Sequence, residues 1–126
     1  MFELLSVGIG GFLGSCLRYL ISRITGGLTI TFPLGTLISN VIAGFFIGFI
    51  IGLEQQSVQI SRNTKLFLTT GLLGGLSTFS TFSLETIELF KSEQYILSIG
   101  NIALNLVLSL CGVILGLISA KTLVRR

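Results

Sequence analysis

The chain of 126 residues is 51% hydrophobic and 10% charged, with a mean hydropathy of +0.95 and a formal charge of +3. Those values lie outside the range of water-soluble globular domains and describe a protein of the lipid bilayer. With no histidine, and carboxylates only at Glu3, Glu54, Glu85, Glu88 and Glu93, the chain has little material for a metal cluster or a nucleophile paired with a base, so the composition argues against an enzyme. No nucleic-acid partner is expected.

A membrane span takes about 20 residues of helix. Four segments are long and apolar enough, roughly residues 4–22, 32–53, 66–90 and 96–120. Together they use the whole chain, which reads as an all-α membrane protein with a single four-helix transmembrane domain over residues 1–126. The connections at 23–31, 54–65 and 91–95 leave no room for a soluble domain.

The first segment is too long for a secretory signal, has Glu3 where a basic start is expected, and closes without a small-residue cleavage site, so it reads as a retained helix. It carries Gly8, Gly11, Gly14 and Ser15. Arg18, about a turn inside its far end, has two readings: a side chain snorkelling to the interface, or a fixed positive charge at the mouth of an anion pathway. Cys16 and Cys111 fall inside predicted spans, where a thiol behaves as a small hydrophobe.

Pro33 opens the second segment, where a missing N–H costs least. Thr36, Asn40, Gly44, Gly48 and Gly52 recur at every fourth position along it, and the fourth segment has a similar series in Asn101, Asn105, Ser109, Gly112 and Gly116. In lipid, close approach through small residues and interhelical hydrogen bonds drives assembly, so most of these glycines read as packing positions. An unpaired carboxamide costs several kcal/mol in hydrocarbon. Asn40, Asn101 and Asn105 therefore each need a partner helix or water, and hydrogen-bonding glue and pathway lining both stay open.

The third segment holds the run GLLGGLSTFSTFS at 71–83. Gly71, Gly74 and Gly75 weaken a helix there, and the hydroxyls of Ser77, Thr78, Ser80, Thr81 and Ser83 compete for backbone groups. A break is expected near residues 74–78. A broken helix at membrane depth offers carbonyl oxygens from its first half, suited to a hard cation, and N–H groups from its second, suited to an anion. Phe79 and Phe82 share a face; they are either core residues or ring edges, whose partial positive charge favours an anion. Glu85 lies deeper than Glu88, and a carboxylate within a span is a functional candidate.

If the helices alternate in direction, Arg62, Lys65, Lys121, Arg125 and Arg126 share one side, and Arg18, Arg23 and Lys91 lie towards the other. Five against three is a weak bias, and Lys/Arg bias is what sets orientation. Insertion in both directions is compatible with it, as is a single orientation with the basic tail in the cytoplasm.

GLLGGLSTFSTFSLE at 71–85 resembles the third-helix signature of the Fluc/CrcB fluoride channel family, close to GxxGGxTTFSTFSxE. GGFLGSCLRY at 10–19 is similar to the family's GGxxGAxxRY, GTLISNVIAGFFIG at 35–48 to its GTLxVNxxGxFxxG, and NIALN at 101–105 fits its fourth helix. Ser15, Ser39 and Ser77 stand where the pattern has Ala, Val and Thr. The resemblance implies an antiparallel, dual-topology homodimer in a prokaryotic cell membrane, exporting fluoride through two pathways. It also implies one structural sodium ion (Na+) at the dimer centre, held by the backbone carbonyls of Gly74 and Ser77, so that serine for threonine is tolerated. Carried over by motif, the fluoride pathway would comprise Phe79, Phe82, Asn40, Ser80 and Thr81, with Arg18 drawing anions in. Thr78, Asn101, Asn105 and Glu85 would be further polar lining. Two other readings compete: a small multidrug-type exporter coupled to protons, which here would have to rest on Glu85, and a structural membrane assembly subunit whose glycine faces serve association only.

Overall fold

The computed structural model describes residues 1–28 and 31–126, and every regular element among them is helical. Among the described residues three helices are long and apolar enough to cross a membrane: α1 (Phe2–Gly26), α2 (Leu34–Gln55) and α6 (Tyr95–Val124). The chain is therefore a multi-pass membrane protein. Between α2 and α6 it runs through α3 (Arg62–Leu66), a π-helical stretch (Phe67–Leu73), the short α4 (Gly74–Leu76) and α5 (Phe79–Lys91).

Local chemistry sets the ends of these elements. Pro33 stands immediately before α2, and Ser61 caps α3 by accepting the Thr64 amide at 3.2 Å. Glu93 takes a left-handed φ of 62°, and the amide of Gln94 reaches back to the Leu89 carbonyl at 2.9 Å. That closes α5 and reverses the chain into α6 within a few residues. α1 continues to Gly26, so the connection expected at 23–31 begins later than its composition suggests; residues 29 and 30 of it lie outside the described residues.

Two glycine seams build the bundle. Along the first, α2 and α6 run parallel with backbones nearly touching. A Cβ on Gly44 would lie 2.8 Å from the Ser109 carbonyl oxygen, one on Gly112 3.0 Å from that of Val41, and one on Gly52 2.7 Å from the Cβ of Ala120. Along the second, α1 crosses residues 67–76. There a Cβ on Gly71 would lie 2.8 Å from the Val7 carbonyl oxygen, and one on Gly75 2.7 Å from that of Gly11. Lipid leaves apolar side chains little to gain from meeting one another, so such backbone proximity is the main source of contact energy.

Ala43, Ile50, Leu73 and Leu76 form the core between the seams. Outward, Phe12 on α1 and Ile114 on α6 are exposed apolar side chains. Glu3 pairs with Arg62 at 2.9 Å and Glu54 with Lys65 at 2.8 Å. The start of α1, the end of α2 and the start of α3 thus gather at one end of the bundle. Through Ala120 beside Gly52, the basic tail of α6 joins them.

Candidate functional site

The backbone leaves helical geometry after Leu76. Ser77 (φ −79°, ψ 153°) and Thr78 (φ −152°, ψ 126°) are extended, and α5 begins at Phe79. The amides and hydroxyls of these two residues find partners. The Ser77 amide and hydroxyl both donate to the Leu73 carbonyl at 3.0 Å. The Thr78 hydroxyl caps α5 by accepting the Thr81 amide at 3.1 Å.

Asn40 on α2 does the rest. Its Oδ1 accepts the Thr78 amide at 2.8 Å while its Nδ2 donates to the Thr78 carbonyl at 3.2 Å. One carboxamide therefore pairs with an extended residue much as a neighbouring strand would. In an uninterrupted helix the Thr78 amide would bond to the Gly74 carbonyl; here that carbonyl lacks this donor.

A groove of about 530 Å³ opens along these residues, lined by Gly74, Ser77, Thr78, Phe79, Phe82 and Asn40, with Asn105 deeper in and apolar side chains from α2 and α6 forming its walls. The two rings lie 5.6 Å apart between centroids and are tilted by 57°. They are not equivalent: Phe82 is 8% exposed and Phe79 76%. Phe82 is thus anchored by packing, and Phe79 forms the open rim.

Behind the groove the buried amides are linked in series. Asn40 Nδ2 donates to Asn105 Oδ1 at 2.9 Å, Asn105 Nδ2 to the carbonyl and Oδ1 of Asn101, both at 2.9 Å, and Asn101 Nδ2 to Thr86 Oγ1 at 2.9 Å. The paired state removes the several kcal/mol that each isolated carboxamide would cost. Asn101 is 0% exposed and does not border the groove.

The remaining candidates lie elsewhere. Arg18 does not line the groove; its Nε donates to the Gly75 carbonyl at 3.0 Å from the α1 side. Its charge thus sits beside the groove's backbone, one residue from Gly74. Ser80 and Thr81 follow the rim on α5 without lining the groove, the Ser80 hydroxyl 3.5 Å from that of Thr78. Glu85 Oε1 accepts the Thr36 hydroxyl at 2.5 Å, whereas its Oε2 is buried with no hydrogen-bond partner among the described residues. That carboxyl borders two small cavities of about 160 Å³ each, one reaching Ser22 and Thr25 and the other Ser92 and Gln94.

Thr36, Thr86 and Ser98 complete the polar framework, and two of them are signalled only indirectly by the residue pattern. A buried asparagine at 101 requires a partner, but periodicity on α6 cannot say that it is Thr86, nor that Ser98 holds the Thr86 carbonyl at 2.9 Å. Thr36 was visible as one member of the strip that contains Asn40.

Residues 5–117 match the family described as CrcB-like protein, Camphor Resistance (CrcB). The chain belongs to the CrcB family. Among curated CrcB relatives, a protein of Clostridium novyi (strain NT) is 53% identical over 111 residues, covering 87% of each chain. One of Ruminiclostridium cellulolyticum is 44% identical over 124 residues, covering 98% of this chain and 95% of the relative. An archaeal one, of Pyrococcus abyssi, is 44% identical over 113 residues, covering 90% and 91%. All three carry the name fluoride-specific ion channel FluC.

Proposed function

We propose that this protein is a fluoride-selective channel that lets cytoplasmic fluoride leave a prokaryotic cell across its plasma membrane. The relatives' name supports the choice of ion. The observation that carries it on this chain is the meeting, at the extended pair Ser77–Thr78, of two phenyl rings, a carboxamide and a hydroxyl in one groove.

Fluoride is small and holds its water tightly, so its passage needs several modest donors in series, each replacing part of the hydration shell without retaining the ion. Ring edges of Phe79 and Phe82, the hydroxyls of Thr78, Ser80 and Thr81, and the Asn40 amide are such donors. The two Asn40 hydrogens are already committed to Thr78 and Asn105. An ion there displaces one of those acceptors rather than filling an idle site. Arg18 supplies a fixed positive potential near the groove.

The groove's other polar face is backbone. The Gly74 carbonyl has lost its helical donor and lines the groove with Ser77, which fits a sodium ion bound through carbonyl oxygens. Two carbonyls are too few for such an ion, and a second copy related by a twofold axis supplies two more. In this reading residues 62–76 and Phe79–Lys91 cross the bilayer together as one broken helix, giving a single four-helix unit. Two units insert antiparallel, which the five-to-three division of basic residues accommodates.

Purified protein in liposomes loaded with fluoride, read with a fluoride electrode, tests the proposal. Rapid release of fluoride is expected and hardly any release of chloride; vesicles that retain both ions would leave a structural role for the chain.

A further inference from the structure

Three buried side chains, Asn105 at the back of the groove and Asn101 and Thr86 behind it, tie down the turn that carries the rings, and their orientations follow from one fixed point. The Thr78 backbone N–H can only donate, so the Asn40 atom it meets must be Oδ1. Nδ2 of Asn40 is thereby turned to the Thr78 carbonyl and to Asn105. Asn105 must then offer Oδ1, which turns its own Nδ2 onto Asn101. Asn101 in turn donates to Thr86 Oγ1, and the one hydrogen of that hydroxyl goes to the Phe82 carbonyl at 2.8 Å. Every link has a single allowed direction. The series starts at the backbone of Thr78 and ends at the backbone of Phe82, the residues that bracket the first turn of α5.

We propose that Asn105, Asn101 and Thr86 are positioning residues, a one-way hydrogen-bond relay from α2 through α6 to α5 that fixes the separation and tilt of Phe79 and Phe82. Its consequence for transport rests on the fluoride reading above; its geometry does not. Threonine hydroxyls often bond back to the carbonyl four residues earlier in a helix. This one also accepts from a buried carboxamide, so it has no second orientation. In a medium of low dielectric such linked bonds reinforce one another, and the relay holds the turn more firmly than one back-bond would.

The test uses the full chain in lipid nanodiscs with 4-fluorophenylalanine at position 82, read by 19F NMR, beside fluoride efflux from liposomes for the unlabelled variants. Thr86→Val keeps the side-chain shape and removes both links, Thr86→Ser keeps both, and Ser98→Ala removes a neighbouring buried bond outside the relay. Thr86→Val should shift or split the 19F line and slow efflux by at least about tenfold, with an unchanged size-exclusion profile. Thr86→Ser should restore both readouts, and Ser98→Ala should move neither. A Thr86→Val line identical to the parent's would overturn the relay, whatever happened to efflux. If the parent passes no fluoride, the channel reading fails and the 19F comparison still decides the relay. Should Thr86→Val not assemble, Asn101→Ser breaks the same link from α6 and is judged by the same two results.

Discussion

The stretches on either side of Ser77 and Thr78 are held by opposite means. Residues 67–76 lie against α1 through glycines, with Gly71 and Gly75 close to the Val7 and Gly11 carbonyls and hardly a side chain between them. Phe79–Lys91 is held to α2 and α6 by directional side-chain bonds: Thr36 to Glu85, Asn101 to Thr86 and Ser98 to the Thr86 carbonyl. Shape fixes the first stretch and tolerates no added volume. Directional bonds fix the second, where loss of a donor is expected to cost more than in the first. Extended backbone lasts for only two residues between two such well-held neighbours, and Asn40 supplies the bonds that make it stable in lipid.

The largest effect should come from adding volume to the first stretch. Gly75→Val places atoms against the Gly11 backbone, which has no flexible end to move aside, and should cost roughly 3 kcal/mol or more. The expected result on size exclusion is aggregated or absent protein. A monodisperse variant of normal yield would show that the seam is looser than its distances indicate.

In the second stretch, Phe82→Ile should leave assembly intact and slow fluoride efflux by at least about tenfold, the equivalent of one lost ring-edge contact of about 1.5 kcal/mol. Retained flux would remove the rings from the pathway. Between the two stretches, the proposed sodium site at the carbonyls of Gly74 and Ser77 in a twofold dimer predicts that replacing sodium by a large organic cation lowers both flux and the stability of that dimer to detergent. If neither quantity changes, those carbonyls hold no ion that matters.

The smallest effect is expected at Glu85. Glu85→Gln keeps an oxygen for the Thr36 hydroxyl and should change fluoride efflux by no more than about twofold, a difference of less than ~0.5 kcal/mol in barrier. A proton-coupled exporter would instead lose transport with that carboxylate. Cation-driven export abolished in the variant, with no fluoride flux in the parent, would favour that alternative.

Much of this architecture is legible in the sequence. The glycines at 44, 48, 52, 112 and 116 read as packing positions because small residues at helical spacing let backbones approach closely in lipid, and α2 and α6 meet along them. The glycine and hydroxyl run at 71–83 and the need of each buried asparagine for a partner came from composition and desolvation cost alone. What periodicity cannot supply is the identity of a partner on another helix. The position of Arg18 in the first span leaves both snorkelling and an anion-facing charge open, and nothing in its spacing names the Gly75 carbonyl to which its Nε donates. The π-helical turns of Phe67–Leu73, which lie against α1, have no signal in the sequence.

Current recorded across a planar bilayer containing the purified protein, with fluoride on one side and chloride on the other, tests the central claim most directly. The account predicts a steady current whose reversal potential lies far towards the value at which fluoride alone would be in equilibrium. A silent membrane, or a reversal potential near zero at equal concentrations of the two salts, would contradict it.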